Sequence, residues 1–155
     1  MWGIVVLRWS LLAASLVVWL VQPGPKAEDA QPKPAFDKVV LTSSGGITGR
    51  GSGKALTVDG QGKFTAKMRD KQRQGELKPE ELAQLAKLVA AVDWKGVKAG
   101  YPGKGADFFQ DDLAVTVAGK PHETHVSEAA DRKDLTPALS ELLDYLNKLH
   151  GEHKP

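Results

Sequence analysis

Residues Lys54–Arg69 constrain the fold more than any other stretch of the chain. Leu56 and Val58 alternate with Ala55 and Thr57, Asp59-Gly60-Gln61-Gly62 follows, and Phe64, Ala66 and Met68 then alternate with Lys63, Thr65, Lys67 and Arg69. A period of two on both sides of a glycine-bearing turn predicts an antiparallel hairpin. Glycine accepts the positive φ that tight turns need, and each strand has one face for a core and one for water.

The flanking segments extend this pattern. Phe36–Ser43 carries Val39, Val40 and Leu41 and stops at Ser44-Gly45-Gly46. Leu113, Val115 and Val117 alternate with Ala114, Thr116 and Ala118, and His122–Val126 returns beside them after Gly119-Lys120-Pro121. Two helical stripes separate and follow these strands. Leu82, Leu85, Ala86, Val89 and Val92 recur at spacings of three and four after Leu77-Lys78-Pro79-Glu80-Glu81, with Pro79 suited to a first helical position and the glutamates to the positive end of the helix dipole. Lys78 is a poor N-cap. Leu139, Leu142, Leu143, Leu146 and Leu149 form the second stripe, opened by Thr136-Pro137 and expected to end at Gly151. The order is three strands, a helix, two strands and a helix, with short turns between neighbouring strands. It predicts an α+β domain: an antiparallel sheet of about four to five strands with two helices packed on one face.

Domain organisation follows from composition. Trp2–Val21 is nearly all apolar, broken by Arg8, Ser10 and Ser15, and Gln22-Pro23-Gly24-Pro25 ends any helix there. Residues 1–22 therefore read as a signal peptide or an N-terminal membrane anchor, which implies export. Ala27 has Pro25 two positions before it and Ala30 has Glu28, so neither makes a good cleavage pair and the uncleaved anchor stands beside cleavage. Residues 23–35 hold four prolines and read as a linker, residues 36–150 as a single α+β domain, and residues 151–155 as a tail. The implied location is periplasmic, extracellular or anchored to the membrane by residues 2–21.

The chemistry is narrowed mainly by exclusion. With no cysteine among 155 residues there is no disulfide framework, thiolate metal site or cysteine nucleophile. A net charge of +2 does not point to nucleic acid. Gly49-Arg50-Gly51-Ser52-Gly53-Lys54 invites a phosphate-loop reading. However, Thr48 stands where the first glycine is needed, Ala55 follows the lysine, and a strand comes next instead of a helix N-terminus. The segment reads instead as a hairpin loop able to make contacts. His122 and His125 point to opposite faces of a strand, and no nucleophile-elbow pattern accompanies any histidine. Asp111 and Asp112 are adjacent and diverge likewise. No catalytic residue, metal site or cofactor is expected, so the chain reads as non-enzymatic. Cations outnumber acids between Lys38 and Arg73, notably Lys63, Lys67, Arg69, Lys71 and Arg73. This suits a solvated sheet face with edge lysines, or an anionic partner surface.

A family resemblance adds a function. A first strand running into Gly45-Gly46-Ile47-Thr48-Gly49 and the strand and turn Leu56-Thr57-Val58-Asp59-Gly60 are followed by Leu77-Lys78-Pro79-Glu80-Glu81-Leu82. Leu85, Leu88 and Val89 come next, closing on Val92-Asp93-Trp94. With the strand Leu113–Val117 and a leucine-rich terminal helix, this order resembles the emfourin family, proteinaceous inhibitors of the thermolysin-like metallopeptidase protealysin. The export segment, the proline tether and the long Lys95–Asp107 loop depart from the compact inhibitor. The resemblance implies an exported binding protein that occludes a metallopeptidase cleft without doing chemistry. Its partner would be a protein, with no nucleic acid and with membrane contact only through the N-terminal segment. Loop placement and expected exposure nominate Ile47, Thr48 and Arg50 on the first loop and Tyr101 on the second as contacts. The alternative is an envelope-associated structural or scaffold module that binds through the basic strands.

Overall fold

The computed structural model describes residues 35–45, 53–103 and 109–155. The expected export segment and nearly all of the linker lie outside these residues. Among the described residues no helix is long and apolar enough to cross a membrane.

Four strands come first: β1 (Lys38–Gly45), β2 (Lys54–Asp59), β3 (Lys63–Met68) and β4 (Lys71–Glu76). They are followed by α1 (Pro79–Ala91), β5 (Gly100–Tyr101), β6 (Phe109–Val117), β7 (Lys120–Ser127) and α2 (Pro137–His153). The strands form one sheet in the order β4-β3-β2-β1-β6-β7-β5. The domain is α+β, as the pattern predicts. The sheet, however, has seven strands instead of four to five, and it is mixed: every pairing is antiparallel except β5 with β7.

Both additional strands lack the signals that reveal strands in a sequence. In β4, Lys-Gln-Arg-Gln-Gly-Glu, every residue is exposed, so no alternation exists to be read. The turn into it has Arg69 at φ 57, a left-handed position without glycine. Its pairing with β3 is nonetheless regular from Met68↔Lys71 to Lys63↔Glu76. β5 is only two residues long and is held by its surroundings. The His125 amide donates to the Ala99 carbonyl at 3.0 Å, and the Thr124 hydroxyl donates to the Lys98 carbonyl at 2.8 Å.

One face of the sheet builds the core. Val39 and Leu41 stand opposite Val58 and Leu56 on one side and Val115 and Leu113 on the other, while Phe64 and Ala66 continue the face across β3. These side chains and the stripes Leu85, Leu88 and Val89 of α1 and Leu139, Leu142, Leu146 and Leu149 of α2 form one buried cluster. Burying side chains of this size contributes on the order of 2 kcal/mol each. The opposite face carries Val40, Thr57, Thr65, Ala114 and Thr116, all half-buried.

Local contacts mark the helix starts, and a tertiary contact marks the end of α2. Lys78 precedes α1 and makes no side-chain cap, and the Glu81 carboxylate at the third helical position accepts from the Lys78 backbone N–H at 2.8 Å. Thr136 caps α2 by accepting from the Leu139 amide at 3.3 Å. α2 runs past Gly151, where the sequence predicts an end, because His153 packs its ring on Phe64 at 4.4 Å and approaches Glu81 at 3.3 Å. His150 is also buried, and its Nε2 donates to the Lys67 carbonyl at 2.9 Å.

Candidate functional site

Residues that face each other across neighbouring strands lie on the same side of a sheet. Across the core side, the registers line up Ala66, Leu56, Leu41, Leu113 and Thr124 on β3, β2, β1, β6 and β7. The next row toward the end of β1 is different. It reads Met68, Lys54, Ser43, Asp111, Val126 and Tyr101, and it passes through β3, β2, β1, β6, β7 and β5. Its middle is polar, although it occupies core-facing positions.

Burying polar groups is costly unless they are paired, and these are paired with one another. The Ser43 hydroxyl donates to Asp111 Oδ1. Asn147, one turn after Leu143 on α2, donates from Nδ2 to Asp111 Oδ2 at 3.3 Å and accepts from Lys54 Nζ on its own Oδ1. One amide therefore bridges a cation on β2 and a carboxylate on β6. Lys54 is fixed from behind as well. Gly53 sits at φ 53, its carbonyl accepts from the Arg69 amide at 2.9 Å, and a Cβ on it would meet Arg69 Cα at 3.1 Å.

Beside this network the space between sheet and helix stays open as a pocket of about 380 Å³. Val126, Ala130, Leu135 and Leu143 supply apolar wall, Phe109 stands at its edge with 44 % of its surface exposed, and Ser127 and Glu128 complete the lining. The core-side row therefore ends in a cavity that combines apolar wall with a lysine, two carboxylates and an amide.

Ile47, Thr48 and Arg50 belong to residues 46–52, outside the described residues. The attachment points of that segment are described: Gly45 stands opposite Phe109 in the β1–β6 register, and Lys54 stands opposite Ser43. Residues 104–108, also outside the description, enter the sheet at the same Phe109. Both loops nominated by the sequence are thus rooted at one end of the sheet, beside the pocket.

The exposure expected of Tyr101 is not found. It is 4 % exposed, pairs with Val126 and accepts from the Lys98 amide on its hydroxyl at 3.2 Å. Its place between two glycine-bearing stretches predicts a loop, whereas the residue lies in β5 and its ring belongs to the core. Asp111 and Asp112 diverge as adjacent strand residues must. Asp112 lies on the uncovered face, where its Oδ1 contacts His125 Nδ1 at 2.7 Å and accepts from Gln110 at 2.6 Å. His122 packs against Trp94 with ring centroids 5.4 Å apart. Among the described residues, no group of three or more His, Asp or Glu side chains is placed to hold a metal.

Ser43, Lys54, Asp111 and Asn147 are not predicted as a set from the sequence. The signal was there: each shares the parity or stripe of buried neighbours, Ser43 with Val39 and Leu41, Lys54 with Leu56 and Val58, Asp111 with Leu113 and Val115, and Asn147 with Leu143.

No protein-family model matches this chain, and no curated protein matches it.

Proposed function

We propose that this chain is an exported, non-enzymatic binding protein that inhibits a thermolysin-like metallopeptidase by occluding its cleft. The observation that carries this reading is the common rooting of both loops. Gly45, Lys54 and Phe109, the described strand residues that flank 46–52 and 104–108 in sequence, lie at one end of a hydrogen-bonded sheet. Binding residues are disproportionately carried on loops that a rigid scaffold positions, and regular strands flank these two segments. Ile47, Thr48 and Arg50 are the proposed contacts. Tyr101 joins them as a support beneath the second loop, since its side chain is buried.

A second reading draws on exposed cations. Lys63 and Lys67 lie on the uncovered face, and Lys71 and Arg73 on the edge strand β4. They suit a structural module that binds anionic envelope material with strong salt dependence.

The test is an inhibition progress curve. The full-length chain is titrated against a panel of thermolysin-like peptidases, and a gel follows its integrity. Stoichiometric inhibition by an uncleaved chain, weakened by Arg50→Ala at unchanged melting temperature, is the expected result. Absence of inhibition across the panel, with salt-sensitive retention on anionic envelope preparations, would favour the second reading.

A further inference from the structure

Lys54 is a half-buried cation at the pocket. Among the described residues no carboxylate lies within salt-bridge distance of its ammonium, whose described hydrogen bond goes to the neutral amide oxygen of Asn147. An ammonium has three N–H donors, so others remain to be satisfied. The nearest carboxylate in the network is differently placed. Both oxygens of Asp111 already accept, from Ser43 and from Asn147. Glu128, the other acidic side chain lining the pocket, is exposed, so the unfilled donor capacity beside the apolar wall is that of the Lys54 cation. Beside it stand the apolar side chains of Val126, Leu135, Leu143 and Phe109 around about 380 Å³ of space, a volume within the range of small-molecule sites.

We propose that this pocket binds an apolar carboxylate. The carboxylate would accept from Lys54 Nζ in a charge-assisted hydrogen bond, and the hydrocarbon body would lie against Leu135, Leu143 and Val126, with Phe109 over the mouth. Two sources carry this chemistry, a free medium-chain acid and the C-terminal residue of a peptide ending in an apolar side chain. The site does not depend on the peptidase reading, because the described walls, Val126, Leu135 and Leu143, lie on β7, on the segment before α2 and on α2.

The experiment uses the full-length chain and follows the methyl resonances of Val126, Leu135 and Leu143 during titration. The probes are octanoate, octanol, octylamine, and a tripeptide ending in leucine with either a free or an amidated C-terminus. Saturable shifts with octanoate, and affinity at least about tenfold lower for octanol and octylamine, are expected. Lys54→Met should lose this preference and Lys54→Arg should keep it. If Lys54→Met does not fold, the comparison of octanoate with octanol still decides. Binding of the free-acid peptide but not its amide or octanoate would assign the site to chain ends; octanoate alone would assign it to free acids. Equal binding of octanol or octylamine, binding undiminished in a folded Lys54→Met variant, or no shift with either acid would overturn the proposal.

Discussion

Gly75 offers a sharp test of the β3–β4 pairing. It stands opposite Phe64. A Cβ added there would lie 2.9 Å from both Cε1 and Cζ of the Phe64 ring, whereas ordinary contacts begin near 3.4 Å. The ring would have to move by about 0.5 Å. It has little room to do so, being 4 % exposed and stacked on His153 at 4.4 Å. Overpacking of this kind costs about 1–3 kcal/mol. Opposing it, Gly→Ala at a compatible position gains about 0.4–1 kcal/mol by restricting the unfolded chain. The balance predicts that Gly75→Ala lowers stability by about 1–2 kcal/mol. Urea denaturation of the wild type, Gly75→Ala, Phe64→Leu and the double variant gives the coupling directly. In the Phe64→Leu background the alanine should cost less, leaving an interaction energy of about 1 kcal/mol. A Gly75→Ala protein as stable as the wild type, or additive effects in the cycle, would refute the packing of Phe64 beneath β4.

Tyr101→Ala should lower stability by about 3–5 kcal/mol through cavity formation and a lost hydrogen bond, and Tyr101→Phe by much less; thermal melts of both variants check this. His150→Leu should cost about 1–3 kcal/mol, because it leaves the Lys67 carbonyl without its 2.9 Å donor, and denaturant titration reads the loss. Tyr145 is held above its ordinary pKa of 10.0, first by burial and then by the charges of Glu81 and Glu152. The folded state therefore keeps the phenol proton more tightly than the unfolded state, so this contribution is intact below pH 10 and fades as the pH rises past it. A melting-temperature profile across that window should fall less steeply for Tyr145→Phe.

Where a segment buries one face, its sequence announces it. Leu56, Val58, Phe64 and Ala66 alternate because one side of their hairpin meets α1 and α2, and the two leucine stripes are visible for the same reason. Every residue of β4 is itself exposed, so only the ladder to β3 identifies it. The length of α2 is likewise set outside its own segment. Gly151 is a local stop signal, and His153 overrides it by packing on Phe64. Tyr101 is the converse case: loop placement predicts exposure, whereas the ring belongs to the core. The polar row is not legible in any one segment. Ser43, Lys54, Asp111 and Asn147 come from four separate elements, and only the strand registers and the placement of α2 bring them together.

The central claim is that the end of the sheet carrying both loops is the docking surface. Hydrogen–deuterium exchange of the full-length chain, alone and with excess thermolysin, tests it most directly. Protection concentrated in residues 42–54 and 102–111, with the rest of the sheet unchanged, is the predicted result. Protection centred on Lys63–Glu76 or the uncovered face, or no protection anywhere, would contradict it.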